Sequence, residues 1–343
     1  VSEKLFLLPA DFIKERWTGR RTKADEAHEL SGINDIAYTP DFEEYFKKAV
    51  SECENICLDI DDTREERDYT EAHRFARRMK EEYPAKKIVN IRPALAEIRT
   101  IKADCEIDAM REAVRITGEG IKAMMHGVRD GMKEYEIKGL YDSALLANGC
   151  LEPAFPSIIS AGQNNFCIHY YSYSGTAHTG DMVLCDVGAC YDFIGCDISR
   201  GFPLSGKFSD RQRKLYEAAY ATSQHLFDII KPGYLMEEVD REAQRFCYTY
   251  LHDYGLVDKP EHIGKLMWHG GSHHVGFDTH DIVKRPEIIA PGMVFCVDIG
   301  IYCEEWGIGF RLEDNCHVTE NGCENLGIHV PRTIEEIENE MRR

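Results

Sequence analysis

Gly180-Asp181-Met182-Val183-Leu184-Cys185-Asp186 has a near echo in Pro291-Gly292-Met293-Val294-Phe295-Cys296-Val297-Asp298. Both start at a Gly-bearing turn, run through Met-Val and a Cys as an apolar strand would, and stop on an aspartate. Each is followed by a second acid in apolar surroundings. Asp197 lies within Ile194-Gly195-Cys196-Asp197-Ile198, and Glu313 ends Gly309-Phe310-Arg311-Leu312-Glu313. Each is also preceded by two helical patterns. Asp104 can cap a long helix carrying Ile107, Met110, Val114, Thr117 and Ile121 on one face, and a second helix runs from Lys133 to a stop at Asn148-Gly149. In the later half, a helix from Asp210 through Ile229 ends at Lys231-Pro232-Gly233, and another spans Met236 to Tyr254 before Gly255. Helix, helix, strands therefore occurs twice. This order predicts a duplicated unit whose acid-bearing hairpins meet across a pseudo-twofold axis.

Four carboxylates in apolar strand contexts are costly to bury unless they are paired or bound to metal. Between the two pairs lies Trp268-His269-Gly270-Gly271-Ser272-His273-His274-Val275-Gly276-Phe277-Asp278-Thr279-His280-Asp281. Its glycines argue against a helix, so this is not a helical zinc motif; they let backbone pass close to something. One neutral imidazole with four carboxylates suits two hard or borderline divalent ions, such as Mn²⁺, Co²⁺ or Zn²⁺. Two such ions can share a hydroxide and clamp a carbonyl oxygen during attack. His274 points away from His273 if the segment is extended and is read as structural.

The first hundred residues read as α/β. Strands are expected at Leu5–Leu8, Asp35–Tyr38, Ile56–Ile60 and Lys87–Ile91, with helices at Phe42–Val50 and Thr70–Glu82. Asp59, Asp61 and Asp62 resemble a metal cluster but read more simply as an acidic strand end and turn. Arg92–Lys102 reads as a connector. Further on, strands are expected at Ser157–Ser160 and Phe193–Ile198, and Thr333 with Glu336 marks the start of a last short helix.

Composition excludes several classes. The 343 residues carry 41 Lys+Arg against 60 Asp+Glu, a net charge of −19. That balance speaks against nucleic acid or an anionic membrane surface as partner. No stretch approaches the roughly 18 apolar residues of a membrane span, and no signal-peptide pattern opens the chain. The first residue is Val1, so the native start is expected to have been trimmed. Thirteen cysteines, an odd and scattered set without paired C-x2-C spacing, read as free thiols in a reducing compartment rather than as disulfides or a structural zinc site.

Asp186-x-Gly188, Asp197-Ile198-Ser199-Arg200-Gly201-Phe202-Pro203, His273-His274-Val275-Gly276, His280-Asp281, Pro291-Gly292-Met293-Val294 and Arg311-Leu312-Glu313-Asp314 resemble the pita-bread metallopeptidases, and among them most closely aminopeptidase P. The resemblance covers about residues 95–330. It extends upstream to Trp17-Thr18-Gly19-Arg20-Arg21, a phrase of the aminopeptidase P N-terminal domain. The implied fold is α+β: a pita-bread catalytic domain over 99–343, with duplicated helix-helix-sheet units, preceded over 1–98 by a short α/β domain expected to lack its first strands.

The resemblance also implies roles. Asp186 would bind the first metal, Asp197 and Glu313 would bridge both, and His273 and Asp298 would complete the second. His169, His280 and Asp298 would be catalytic. His169, His269, His280, Tyr302 and Arg311 would face the substrate. The implied cofactors are two divalent ions, Mn²⁺ first and Co²⁺ or Zn²⁺ as alternatives. The implied activity is hydrolysis of the Xaa-Pro bond at peptide N-termini, in a cytoplasmic homodimer. The alternatives are a prolidase acting on Xaa-Pro dipeptides and an impaired peptidase-like binding protein. A metal-free hydrolase of the creatinase kind is disfavoured by the complete ligand set.

Two phrases depart from the family. Asp298 stands where the family has Glu, roughly 1.5 Å shorter in reach. Either the strand moves in, the metal moves out, or water fills the gap. Ile299 replaces the family proline beside it, which frees the strand to follow an adapted path. Gly201 replaces a threonine, while Ser199 keeps a hydroxyl near the bridging acids.

Overall fold

The computed structural model describes residues 2–62, 65, 69–284 and 288–342. The chain forms two compact units, Val1–Pro93 and Ala94–Arg343. The border falls at Pro93/Ala94 against the expected 98/99, because Arg92–Lys102 is no simple connector: most of it is helix. Pro93 sits in the first turn of that helix, where its missing N–H breaks no bond.

The smaller unit runs β1 (Leu5–Leu7), α1 (Phe12–Thr18), α2 (Ala24–Ser31), β2 (Ile36–Tyr38), α3 (Phe42–Glu52), β3 (Asn55–Leu58), α4 (Glu71–Glu82) and β4 (Lys87–Asn90). β1 pairs with β2 and β3 with β4, both in parallel. Val50, Ile56 and Met79 form its core with Phe46, Phe75 and Tyr83 packed around them. Helices α1 and α2 are too short and too weakly periodic to read from sequence; α1 buries none of its residues. Asp59 and Asp61 pair with Arg92, and Asp62 accepts from Asn90, which bears out the reading of this acidic run as a strand end and turn.

The chain continues with α5 (Arg92–Thr100), which runs across the border between the two units, and then α6 (Asp104–Gly127) and α7 (Glu134–Ala147). Strands β5 (Ile158–Ala161), β6 (Met182–Val187), β7 (Cys190–Tyr191), β8 (Ile194–Gly195) and β9 (Ile198–Pro203) follow. The order repeats with α8 (Asp210–Ile229), α9 (Met236–Asp253), β10 (Val294–Cys303), β11 (Ile308–Val318), β12 (Cys323–Asn325) and α10 (Ile334–Glu340). The expected strand Phe193–Ile198 is instead a tight hairpin followed by a new strand. Asp192 and Phe193 turn it with positive φ, 50° and 68°. Asp104 is the first residue of α6 rather than its cap; Glu106 reaches back to the Ala103 N–H at 2.7 Å. The Thr333 and Glu336 exchange at the start of α10 is present as expected.

One sheet in the order β10-β11-β9-β6-β5, with β12 on β11, holds the unit together. The two hairpins β6/β9 and β10/β11 abut at β9 and β11 through the pair Ser199 and Glu313. This is the predicted duplication, with the two halves meeting at one seam. Helix α6 packs on α7 and α8 on α9, and α8 lies on β10 and β11. Behind the seam, Arg200, Asp314 and Arg332 form a fully buried cluster. Arg200 donates to Asp314 Oδ1 at 2.7 Å and to the Glu313 and Ser199 carbonyls at 2.7 and 2.9 Å, and Arg332 donates to Asp314 Oδ2 at 3.1 Å. A Cβ on Gly201 would meet the Phe310 Cβ at 2.5 Å, so the family threonine would not fit against this ring.

Truncating the buried carboxylate strands two guanidinium charges with no counter-ion. Asp314→Ala should therefore destabilise the metal-stripped protein by about 3–5 kcal/mol, read by chemical denaturation. A loss under about 1 kcal/mol, the size of an exposed pair, would show that the seam does not depend on this cluster.

Candidate metal centre

Side chains alternate across a strand, so residues facing each other in register share a face. Asp298 pairs with Glu313, Glu313 with Ser199, and Ser199 with Asp186. A single row across four strands thus places Asp298, Glu313 and Asp186 on one face, with Asp197 immediately before β9. The opposite face carries apolar residues such as Phe310, whose ring stacks on Tyr216 of α8 at 5.3 Å.

The donor atoms of Asp197, His273, Cys296 and Glu313 lie within 4.8 Å of one another. His273 Nδ1 donates to the His274 carbonyl at 3.4 Å. That tautomer turns the Nε2 lone pair toward Asp197 Oδ2 and Glu313 Oε1, both at 3.7 Å. Ser199 Oγ donates to the second Glu313 oxygen at 2.7 Å. Asp186 Oδ1, Asp197 Oδ1, Asp298 Oδ1 and Glu313 Oε1 are buried and accept no hydrogen bond from any described residue. Burial, with Glu313 and Asp186 nearby, pushes Asp197 well above the usual carboxylate range. Burial, with Asp298 and Asp186 beside it, does the same to Glu313. Asp298 is pushed up to about 8, by burial first and, despite the pull of Arg311, by Asp186 and Asp240. Burial and the neighbouring His280 lower the pKa of His273 and keep it neutral. Buried anionic oxygens without donors, beside a neutral imidazole nitrogen, are a donor set that divalent cations satisfy.

The outer residues form a chain of contacts. Arg311 Nη2 donates to Asp186 Oδ2 at 2.7 Å and Nη1 to the Tyr302 hydroxyl at 2.8 Å. That hydroxyl lies 2.9 Å from His269 Nε2, and His269 Nδ1 lies 3.5 Å from Asp298 Oδ2. Burial raises the Tyr302 pKa and lowers that of His269. Tyr302 and Arg311 are buried on the same sheet face as the carboxylates, further along the β10/β11 hairpin, a place that lets them orient Asp186 and His269. The His280 ring sits 4.4 Å from that of His273, and both line a cavity of about 630 Å³ with Glu237 and Asp240. His169 is exposed, its ring 6.4 Å from Tyr171, and the Ile168 carbonyl before it accepts from Arg311 at 3.2 Å. His274 is buried against Phe295.

Several contributors were not singled out in the sequence. Asn315 Oδ1 accepts the Asp197 N–H at 3.0 Å and its Nδ2 donates to the Asp197 carbonyl at 2.9 Å, so it fixes the backbone of a central acid. A polar residue two places after Glu313 in an apolar strand was the available signal. Asp240 of α9 accepts the Gly271 and Ser272 N–H groups at 3.2 and 3.1 Å and anchors the histidine-bearing loop. Nothing local marks it. The loop glycines do allow close approach: a Cβ on Gly271 would lie 2.2 Å from the Asp298 carbonyl oxygen. Cys296 was quoted only as part of the strand repeat.

Two predictions follow from this electrostatics. Asp197→Asn or Glu313→Gln should weaken divalent-ion binding by more than the roughly 10–100-fold typical of losing an outer partner. The metal-stripped fold should keep or raise its melting temperature, because acid–acid repulsion is relieved; unaltered ion affinity in equilibrium dialysis would refute the site. Raised acid pKa values also mean that the ion-free site holds protons which ions must displace. Affinity should fall on acidification through pH 8 toward 6, with protons released on binding. Calorimetry in buffers of different ionisation enthalpy at pH 6.5 and 9 should show more release at the lower pH, and equal release would contradict the shifts.

Comparisons with known proteins agree with this geometry. The pattern of metallopeptidase family M24 matches residues 108–320, and that of the aminopeptidase P N-terminal domain matches residues 1–57. A Haemophilus influenzae Xaa-Pro aminopeptidase is 29% identical over 98% of this chain and 81% of its own length. A human Xaa-Pro dipeptidase is 29% identical over 72% of this chain and 61% of its own length. A solved Bacillus anthracis structure, described as a candidate aminopeptidase P, superposes with a TM-score of 0.95 at 33% identity, covering 99% of this chain and 82% of that one. With the family pattern spanning more than half of its length, the chain belongs to metallopeptidase family M24.

Proposed function

We propose that this chain is a metal-dependent exopeptidase that hydrolyses the Xaa-Pro bond at peptide N-termini. The observation that carries this reading is the row of buried, donor-starved carboxylates facing the neutral Nε2 of His273, beside a cavity of about 630 Å³. Asp186, Asp197, His273, Asp298 and Glu313 would hold two divalent ions, and this donor set suits Mn²⁺, Co²⁺ or Zn²⁺. When bound, the ions supply Lewis acidity and a water acidic enough to attack a carbonyl near neutral pH.

The protein's own groups do the rest. Asp298, with a carboxyl poised near neutrality and His269 Nδ1 3.5 Å away, is placed to accept and return a proton at Oδ2. Arg311 and Tyr302 keep Asp186 and His269 oriented through their hydrogen bonds. His280, on the cavity wall, and the exposed His169 would hold the substrate's amide region. Glu237 and Asp240 give the same cavity a negative wall, which suits the terminal ammonium of a peptide. Thirteen thiols, none in a disulfide among the described residues, fit a reducing compartment, and a cytoplasmic homodimer is part of this proposal.

Xaa-Pro, Xaa-Pro-Yaa and longer peptides offered to protein loaded with Mn²⁺, Co²⁺ or Zn²⁺ test the reading, with released Xaa measured by mass spectrometry. Release from the tripeptide supports it. Release from the dipeptide alone would redirect it to a dipeptidase, and bound metal without any release would overturn it. A further expectation concerns the shortened acid. Gly271 lies close against the backbone and Cβ of Asp298, so Asp298→Glu adds a methylene beside a tight contact, at about 1–3 kcal/mol. Ion affinity and turnover should both drop, by about tenfold or more. An increase in either would show that Asp298 is merely a short ligand.

A further inference from the structure

Cys296 and Asp298 lie two residues apart on β10 and share a face of the sheet. Cys296 Sγ, and not Asp298, falls within 4.8 Å of the donor atoms of Asp197, His273 and Glu313. Asp298 is turned instead toward His269. Two further bonds hold the sulfur in place. The Cys296 N–H donates to the His273 carbonyl at 2.8 Å, which ties thiol and imidazole to the same point of the backbone. Asn315 Nδ2 approaches Sγ at 3.4 Å, so the sulfur already faces a donor. Of the acids in this group, one oxygen each, Asp197 Oδ1 and Glu313 Oε1, is buried without a hydrogen bond from any described residue. In a tetrahedral shell, ligand atoms about 2.0–2.3 Å from one ion stand about 3.3–3.8 Å apart, and His273 Nε2 is 3.7 Å from both Asp197 Oδ2 and Glu313 Oε1.

We propose that Cys296 supplies a sulfur ligand to the ion held by Asp197, His273 and Glu313. This rests on the metal-site reading above and refines it. Thiolate is a soft donor, so the site should favour Zn²⁺, Co²⁺ or Cd²⁺ over Mn²⁺. As the metal–sulfur bond forms, the thiol proton leaves to solvent.

The full-length, metal-stripped protein is titrated with Co²⁺ and followed by near-ultraviolet absorption, with bound cobalt counted after dialysis. The expected result is a sulfur-to-cobalt charge-transfer band that grows with bound cobalt and disappears in Cys296→Ser, while cobalt still binds that variant. The ratio of Cd²⁺ to Mn²⁺ affinity should fall at least tenfold in the same variant. X-ray absorption on the unmutated protein loaded with Zn²⁺ asks the question without a mutation: a sulfur scatterer at about 2.3 Å is expected beside the lighter atoms at about 2.0–2.2 Å. Cobalt bound without the band, a band that persists in Cys296→Ser, or a zinc shell free of sulfur would overturn the sulfur ligand and leave the metal site standing. Failure of the unmutated protein to bind any of these ions would overturn both.

Discussion

Four carboxylates with buried oxygens, gathered by one row of the sheet, repel, and the rest of the larger unit is arranged around that repulsion. Asp186, Asp197, Asp298 and Glu313 cannot all be ionised there without compensation. The fold supplies only part of it. Arg311 takes one oxygen of Asp186, Ser199 one of Glu313, and His269 faces Asp298. One buried oxygen of each acid is left without a donor among the described residues. The protein alone answers the repulsion by keeping protons, which is why burial and the neighbouring acids hold these carboxyls above their usual range.

The acids converge because the sheet has a seam. Neither hairpin alone brings more than two acids together. The pair of Ser199 with Glu313 joins β9 to β11 and completes the row. A single register pair is a slender join, and the cluster of Arg200, Asp314 and Arg332 on the far side reinforces it with hydrogen bonds to backbone on both strands. Charge thus occupies both faces of the seam. On one face it is unsatisfied and chemically available; on the other it is paired, fully buried and structural. Because strand side chains alternate, Glu313 and Asp314 are neighbours in sequence with opposite duties.

Precision in the centre comes from the histidine loop as much as from the strands. The loop has no regular structure, so its position is set by contacts at its two sides. Asp240 holds the N–H groups of Gly271 and Ser272, and the Cys296 N–H holds the His273 carbonyl. Gly271 lets the loop lie directly on Asp298. The line Arg311, Tyr302, His269, Asp298 then transmits orientation from a fully buried guanidinium to the one acid with a carboxyl near neutrality. Asp298 belongs to this line as much as to the row of acids.

The sequence by itself determined the elements and the chemistry of the centre. Asp186, Asp197, Asp298 and Glu313 stood out because an acid in an apolar strand demands a reason, and the twofold order of helices and strands was visible as a repeat. Local patterns of this kind survive because they act over neighbouring residues. It did not determine the hairpin at Asp192 and Phe193 or the helix at Arg92–Thr100, where turn geometry and packing override weak propensity. Nor did it reveal Asn315, Asp240, Cys296 or the Arg200–Asp314–Arg332 cluster as parts of one centre. Each gains its role from register between strands that are not consecutive, or from a helix laid against a loop. Only the tertiary structure decided that Cys296 Sγ would stand among Asp197, His273 and Glu313 while Asp298 turned to His269, because which donors meet depends on how two halves of the chain, a hundred residues apart, are pressed together at the seam.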